Sequence, residues 1–287
     1  MMLHSNPVTN SQSRWLASMA VLIAACMLTG KMVAAQPLSI SVSSMHIPVM
    51  ERIAAQYKRQ TGETVTLVPT RPPGALTERV QCLETRHLRE AGAHSEAQSC
   101  QDRTDITISA QDWRTESVRP GGSVIFAIAQ IALWSPDPAL IDPRGNVLQA
   151  RNFDWIAAPS PESDPFGKAA FAVLIKAGVL NRINHRLLYL PDSQNVYASI
   201  LSGQTRLGFI ALPQVWRDGQ LVEGSLWIPP LDWYPVIAMT ASLAPDTTTD
   251  DLRRVAANRF LRFLLQKPIR QILLMHGYLT PAGLVSS

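Results

Sequence analysis

The sequence predicts an α/β protein with parallel or mixed sheets. Short strand-like runs alternate with amphipathic helical runs along the chain, and a turn or a helix cap separates each run from the next. With 287 residues, 46% of them hydrophobic and 17% charged, the chain is long enough to bury one or two cores. This composition excludes a small cross-linked scaffold and a low-complexity chain.

The chain begins with the features of an export signal. An apolar run at 15–28 is too short to span a bilayer comfortably, and the small residues at 33–35 predict cleavage just after them. We therefore interpret residues 1–35 as a signal peptide and expect an exported protein. The residues Ile-Ala-Ala before Cys26 also fit the pattern that precedes a lipidated cysteine, which leaves a lipid anchor at Cys26 as an alternative.

The first half of the mature chain predicts an alternation of strands and helices. Its opening residues alternate apolar and polar side chains, which is the period of a strand, and the helical stripe that follows stops at Gly62. The predicted elements are strand 38–43, helix 48–61, strand 63–69, turn 72–74 with helix 75–88, strand 104–109 and helical turns at 111–118. A longer apolar run at 123–134 has no polar face, so it must be buried on most sides and is suited to pass from one domain into another.

The second half continues this alternation, with turns that lead into helix N-termini. Asp192 or Ser193 is placed to cap one helix, and Thr248 with Asp251 forms a capping box for another. The predicted elements are strand 154–158, helix 166–178, helix 193–203, strand 207–212, strand 233–242 and helices 251–265 and 268–277.

The formal net charge of +4 does not indicate a nucleic-acid-binding protein. The densest group of basic residues falls on the polar positions of the predicted helix 251–265 and just beyond it, opposite an apolar face. A solvated helix face explains this group, because a nucleic-acid-binding protein concentrates its basic residues on the element that contacts phosphates. We expect no nucleic acid as a partner.

Two cysteines remain once the signal peptide is removed. Cys82 and Cys100 close a loop of roughly twenty residues, and the pairing we expect in an oxidising compartment is a disulfide that stabilises the fold by about 3 kcal/mol. Coordination of zinc by these cysteines with His87 and His94 is an alternative, because the residue types are suitable although the spacing is loose. Unpaired cysteines are the third interpretation.

No catalytic constellation stands out in the sequence. We find no nucleophile–base pair, metal-binding motif or phosphate loop, and His46 has no acid or nucleophile beside it. The sequence therefore favours a binding protein, without a cofactor or a metal, over an enzyme.

Six segments in a fixed order resemble one family of binding proteins. They are IAAQYKRQTGETV, TDITISAQDW, DPFGKAA, LGFIALPQV, YPVIAM and MHGYLTP, spread between residues 38 and 281. Together they resemble the periplasmic molybdate-binding proteins of ABC importers, over nearly all of the mature chain.

This resemblance implies the two-lobed type II periplasmic binding-protein fold, with the ligand cleft between the lobes. Lobe one would comprise 38–122 and 233–287, and lobe two 123–232. The resemblance also implies a periplasmic monomer that captures a tetrahedral oxyanion, molybdate or tungstate, by lobe closure. Such a protein delivers the anion to the permease of an ABC importer without any turnover.

The resemblance further implies that the oxyanion binds at junctions between strands and helices. Helix N-termini offer N–H donors and a favourable dipole to an anion without a buried cation. Carried over position by position, the ligand-binding residues would be Ser43, Ser44, Met45, Gly74, Phe166, Gly167, Asn195, Val196 and Ala211.

Three of these positions depart from the family pattern. Met45 stands where the family has a serine, Pro72-Pro73-Gly74 replaces a serine-rich turn, and Ala211 replaces a tyrosine. Either backbone donors hold the oxyanion, or the chain is an exported binding or sensor protein that recognises another ligand or a protein partner. Several residues also have an interpretation that needs no ligand. Ser44 would be a helix cap and Gly167 a turn glycine. Met45 and Phe166 would be packing residues, and Lys168 a solvated lysine.

Overall fold

Two mixed five-stranded sheets organise the residues that the computed structural model describes, which are 37–70, 104–112, 122–150 and 153–281. The strands are, in chain order, β1 Leu38–Ser43, β2 Val65–Thr70, β3 Ile106–Asp112, β4 Ser123–Ala129, β5 Ile131–Ser135, β6 Ile156–Pro159, β7 Leu187–Leu190, β8 Leu207–Ala211, β9 Trp216–Arg217, β10 Gln220–Leu221, β11 Ser225–Trp227 and β12 Ile237–Leu243. The helices are α1 Ile47–Thr61, α2 Val147–Ala150, α3 Pro165–Lys176, α4 Leu180–Ile183, α5 Ser193–Leu201, α6 Pro245–Thr249, α7 Asp251–Leu264 and α8 Lys267–Met275. Short 3₁₀ turns lie at Ser44–His46, Asn184–Arg186, Leu212–Gln214 and Leu231–Trp233.

The two sheets share a mixed strand arrangement. The first has the order β2-β1-β3-β12-β4, in which β1 pairs in parallel with β2 and β3 while β12 runs antiparallel to β3 and β4. The second has the order β11-β5-β8-β6-β7, in which β6 is parallel to β7 and β8 while β5 is antiparallel to β8 and β11. The predicted α/β class with mixed sheets is confirmed.

The apolar run at 123–134 forms two strands that belong to different sheets. β4 pairs with β12 in the first sheet, and β5 pairs with β8 and β11 in the second. Gln130 separates them: its carbonyl accepts the Leu212 N–H at 2.9 Å, and its side-chain Nε2 donates to the Gly277 carbonyl at 3.1 Å. The chain therefore passes from one sheet to the other within a single residue.

Helix α1 packs through one apolar stripe, as its sequence predicts. Tyr57 on this stripe meets Phe260 and Phe263 of α7 edge-on, with ring centroids 5.1 and 5.0 Å apart. The helix ends at Gly62, whose φ of 75° is a left-handed conformation that glycine adopts without strain. The buried residues of the stripe are Val49, Met50, Ile53 and Tyr57.

A buried carboxylate connects β1 of the first sheet to the helices near the C-terminus. Asp105, with no exposed surface, accepts hydrogen bonds from the Ser39 N–H at 2.8 Å and from the Thr247 hydroxyl at 3.2 Å. Arg253 of α7 donates to the same carboxylate through Nε at 2.6 Å and also through Nη2. Burial alone would raise the pKa of Asp105, but these hydrogen bonds and the charge of Arg253 hold it below its ordinary value.

Helices α3 and α5 lie against the second sheet and contact β6 and β8. A small apolar cluster forms beneath α5, in which Trp134 is fully buried and its Nε1 donates to the Glu223 carbonyl at 3.0 Å. The other buried members of the cluster are Ala157, Val196, Ile200, Ile210 and Val215.

None of the helices in the described part of the chain has the length and the apolar character that crossing a membrane requires.

Three predicted details of the elements are wrong. Residues 111–112 continue β3 instead of starting a helix, because β12 pairs with them. The last strand begins at Ile237 and not at residue 233, since a 3₁₀ turn and Pro235 precede it. The cap of α7 is Asp250, whose carboxylate accepts the Arg253 N–H at 3.2 Å, while Thr248 lies within the short helix α6.

Candidate functional site

The first candidate junction lies where β1 ends and α1 begins. Ser43 closes the strand, the 3₁₀ turn Ser44–His46 follows, and α1 starts at Ile47 with His46 as its N-cap residue. Both serines are half-buried, and within the described part of the chain their hydroxyls have no hydrogen-bond partner. The interpretation of Ser44 as the cap of α1 is therefore wrong, and the two hydroxyls are available as donors.

A buried histidine holds this junction in place. His46 is 2% exposed, and its Nδ1 lies 2.7 Å from the hydroxyl of Tyr278, which is also buried. Burial lowers the pKa of His46 to about 4, so its ring is neutral at neutral pH. Met45, the residue before it, is half-buried and packs against the core.

The β1–α1 junction lies close to the turn that follows β8 of the second sheet. The turn Leu212–Gln214, which follows β8, lies against the turn Ser44–His46, with Cα atoms of the two turns within 8 Å of each other. The structure thus brings the turn that contains Ser44 near the end of β8, where Ala211 was predicted to contribute.

A carboxylate occupies the N-terminus of α3. Asp164 is the N-cap residue, and its Oδ1 accepts the Phe166 N–H at 2.7 Å while its Oδ2 accepts the N–H of Ser193, the first residue of α5, at 3.2 Å. Asp164 is 7% exposed, and burial raises its pKa above the ordinary value although the N–H groups oppose this shift. One buried carboxylate therefore bridges the N-termini of two helices.

Gly167 has a steric role in the same turn. A Cβ atom at this position would lie 2.4 Å from the carbonyl oxygen of Ser160 and 2.6 Å from that of Pro159, so only glycine allows α3 to approach the end of β6. Its N–H donates to the Asp164 carbonyl at 3.0 Å. The side chain of Phe166 is 1% exposed and belongs to the core.

The N-terminus of α5 is also capped by a carboxylate. Asp192 accepts the Asn195 N–H on its side chain at 2.8 Å, and its carbonyl accepts the Val196 N–H at 3.2 Å. The predicted alternative of Asp192 as helix cap is confirmed. Both N–H groups at this junction that were assigned to the ligand therefore have acceptors within the protein.

A polar network lies at the end of β8. The Ala211 N–H donates to the Ser193 hydroxyl at 2.8 Å and to Gln214 Oε1 at 3.0 Å, and the Ser193 hydroxyl donates to Gln214 Oε1 at 2.7 Å. Sequence reasoning did not assign Asp164, Ser193 or Gln214 to the site. The sequence signal that could have identified Asp164 as a helix cap is an aspartate directly before a proline at the first helical position.

Several predicted site residues lie outside the described residues. They are Gly74 with its neighbouring prolines, the cysteines Cys82 and Cys100, and Cys26 with the rest of the predicted signal peptide. Among the residues that the structure does describe, no three His, Cys, Asp or Glu side chains are grouped so that they could hold a metal ion.

Sequence and fold together place the chain in a class of binding proteins. It belongs to the bacterial extracellular solute-binding protein family, whose sequence model matches residues 38–279. The molybdate-binding protein ModA of Azotobacter vinelandii is 26% identical to it over 250 residues, which cover 85% of this chain and 90% of that protein. ModA of Rhodobacter capsulatus is 32% identical over 162 residues, or 56% of this chain and 61% of that protein.

A solved structure shows that the fold is shared. The periplasmic molybdate-binding protein of Azotobacter vinelandii superposes with a TM-score of 0.66 and 24% sequence identity, covering 85% of this chain and 99% of that one. The fold is therefore that of the periplasmic binding proteins, as the sequence resemblance implied.

Proposed function

We propose that this chain captures a tetrahedral oxyanion, molybdate or tungstate, in the periplasm and delivers it to the permease of an ABC importer. The observation that carries the proposal is the position of Ser43 and Ser44. Both residues are half-buried at a strand–helix junction, and their hydroxyls have no partner among the described residues. The turn that contains Ser44 lies within 8 Å, between Cα atoms, of the turn Leu212–Gln214 that follows β8 of the other sheet. The two molybdate-binding relatives support the same class of ligand for this chain.

The chemistry of such a site follows from its donors. Molybdate carries two negative charges at neutral pH and has only acceptor oxygens, so hydroxyl and N–H groups suit it. The positive end of the dipole of a helix adds attraction without a buried cation. A protein of this kind binds and releases its ligand, and we propose no catalytic step for it.

In this proposal each five-stranded sheet, with the helices on it, forms one lobe, and the ligand binds between the lobes. Because β4 pairs with β12 in the first sheet, the first crossing between the lobes is proposed at Gln130 and not at residue 123 as the sequence predicted. Gln130 marks a point where the chain passes between them, since β4 and β5 belong to different sheets. Residues 1–35 serve as the export signal, and the mature protein acts as a monomer.

A thermal-shift measurement tests the proposal. We expect molybdate or tungstate at about a hundred times Kd to stabilise the mature protein by about 2.7 kcal/mol, which raises Tm by roughly 5 to 10 °C for a chain of this size. Sulfate and phosphate serve as comparison anions.

Variants locate the binding site. Replacing Ser43 and Ser44 together by alanine removes two hydroxyl donors and should reduce the shift strongly, because a hydrogen bond to a charged group contributes about 1.5 to 3 kcal/mol. Ser41→Ala is the matched control, since Ser41 is a half-buried serine of the same strand, two residues before its end. If none of the four anions changes Tm, the chain binds a different ligand or a protein partner.

A further inference from the structure

The inference concerns Asp164, and it rests on the proposed function, because it takes the N-termini of α3 and α5 as one wall of the oxyanion site. Of the N–H groups assigned to the ligand on this wall, that of Phe166 already donates to Asp164 Oδ1 at 2.7 Å. An anion that approaches this N–H group therefore meets a carboxylate.

The carboxylate cannot simply rotate away from the site. Its second oxygen accepts the Ser193 N–H at 3.2 Å, so it is held by hydrogen bonds from two different helices. Asp164 is 7% exposed and Ser193 is fully buried. Moving the side chain would leave a buried N–H group without an acceptor, which is unfavourable.

A proton removes the conflict between the two negative groups. Two anionic oxygens within hydrogen-bonding distance repel each other, whereas a protonated carboxyl group donates to the oxyanion. The proton comes from solvent when the anion binds. Burial and the charge of Asp192 raise the pKa of Asp164 in the protein without ligand, although backbone N–H groups oppose this shift, and a raised pKa makes uptake of the proton less costly.

We propose that Asp164 couples oxyanion binding to the uptake of one proton, so that the affinity for a fully deprotonated oxyanion falls as the pH rises. Asp164 is thereby a specificity-determining residue. An oxyanion that carries its own proton can donate that proton to the carboxylate and needs none from solvent.

Three other titratable or charged groups belong to the elements around the proposed site. Asp192 is half-buried at the N-terminus of α5, and Lys168 is exposed on the next turn of α3. His46, on the opposite side of the site, remains neutral above about pH 4 because it is buried. Substitutions can therefore separate the contribution of Asp164 from those of its neighbours.

The test measures molybdate binding by calorimetry between about pH 6 and pH 8, in buffers of different ionisation enthalpy, so that proton uptake is counted directly. For the wild-type protein we expect uptake approaching one proton per anion and a Kd that rises up to about tenfold per pH unit. Asp164→Ser keeps an N-cap hydroxyl on α3 and removes the carboxylate. This variant should bind molybdate with a Kd that does not change over this pH range, and without proton uptake.

Asp192→Ser is the matched control, because it makes the same change at the N-cap of α5. Loss of the Asp192 charge lowers the pKa of Asp164 in the protein without ligand, so this variant should still take up a proton on binding and keep the pH dependence. If the wild-type protein binds molybdate with no proton uptake, or if the pH dependence survives in Asp164→Ser, the inference is overturned while the proposed function stands. If neither the wild-type protein nor Asp164→Ser binds molybdate or tungstate at any pH, both are overturned.

Discussion

His46 shows how burial of one residue links stability to pH. The residue is 2% exposed, close to the proposed ligand, and contacts the Tyr278 hydroxyl through Nδ1. Transfer of a charged imidazole into such surroundings is unfavourable, so the folded protein keeps His46 neutral down to about pH 4. Its ordinary pKa is 6.5, and the unfolded chain therefore binds a proton first as the pH falls.

We expect the free energy of unfolding to decrease as the pH falls through this window. Above about pH 6.5 the ring is neutral in both states, so its contribution is complete. Between about pH 6.5 and pH 4 the unfolded chain holds the extra proton, which lowers stability by roughly 3 kcal/mol over the whole window. Urea unfolding at a series of pH values measures this slope.

A pair of variants assigns the slope to the buried ring. In His46→Gln the loss of stability over the window should shrink by the amount due to this residue. His185→Gln makes the same change at an exposed position and is the matched control. Equal slopes in the wild-type protein and His46→Gln would contradict the prediction.

At the scale of elements, the hydrogen bonds of the buried Asp105 carboxylate hold α7 against the first sheet. Its carboxylate lies between β1 and α7 and is bonded by Ser39, Thr247 and Arg253. A buried charge that loses its partner is strongly unfavourable, because neither water nor a countercharge replaces the lost contacts.

We expect Arg253→Ala to lower the free energy of unfolding by about 3 to 5 kcal/mol, since it leaves Asp105 buried without its cation. The exposed pair Arg206–Asp137, with its charged atoms 3.1 Å apart, is the control, and Arg206→Ala should change stability by less than about 1 kcal/mol. Chemical denaturation of both variants measures the difference. Similar losses for the two variants would mean that the buried network contributes no more than a surface pair.

The sequence predicted elements well wherever a local signal marks their ends. β1 and α1 were predicted within one residue, because alternation identifies the strand and Gly62 identifies the helix end. The run at 123–134 was not resolved into two strands, since both are apolar and only their pairing partners differ. A local pattern carries no information on which distant strand becomes the neighbour.

The whole molecule is expected to change shape when it binds its ligand. The two proposed lobes are joined where Gln130 separates β4 from β5, and the proposed site includes groups from both sheets. A ligand that contacts both lobes favours the arrangement in which they are closest, because only there does it gain all its contacts.

Small-angle X-ray scattering tests this expectation. The radius of gyration of the mature protein should decrease when molybdate is added, and the variant with alanine at Ser43 and Ser44 should show a smaller decrease at the same concentration. An unchanged radius at saturation would mean that binding occurs without closure.

The sequence by itself determined the α/β class, most of the helices and strands, and the helix starts that follow Ser43 and Asp192. These features depend on periodicity, turns and caps, which are properties of neighbouring residues. Only the tertiary structure decided which donors at those junctions have acceptors. The bonds of Asp164 to Ser193, Asp105 to Arg253 and His46 to Tyr278 join residues 29, 148 and 232 positions apart. Because the packing of sheets and helices creates such contacts, no local pattern of residues predicts them.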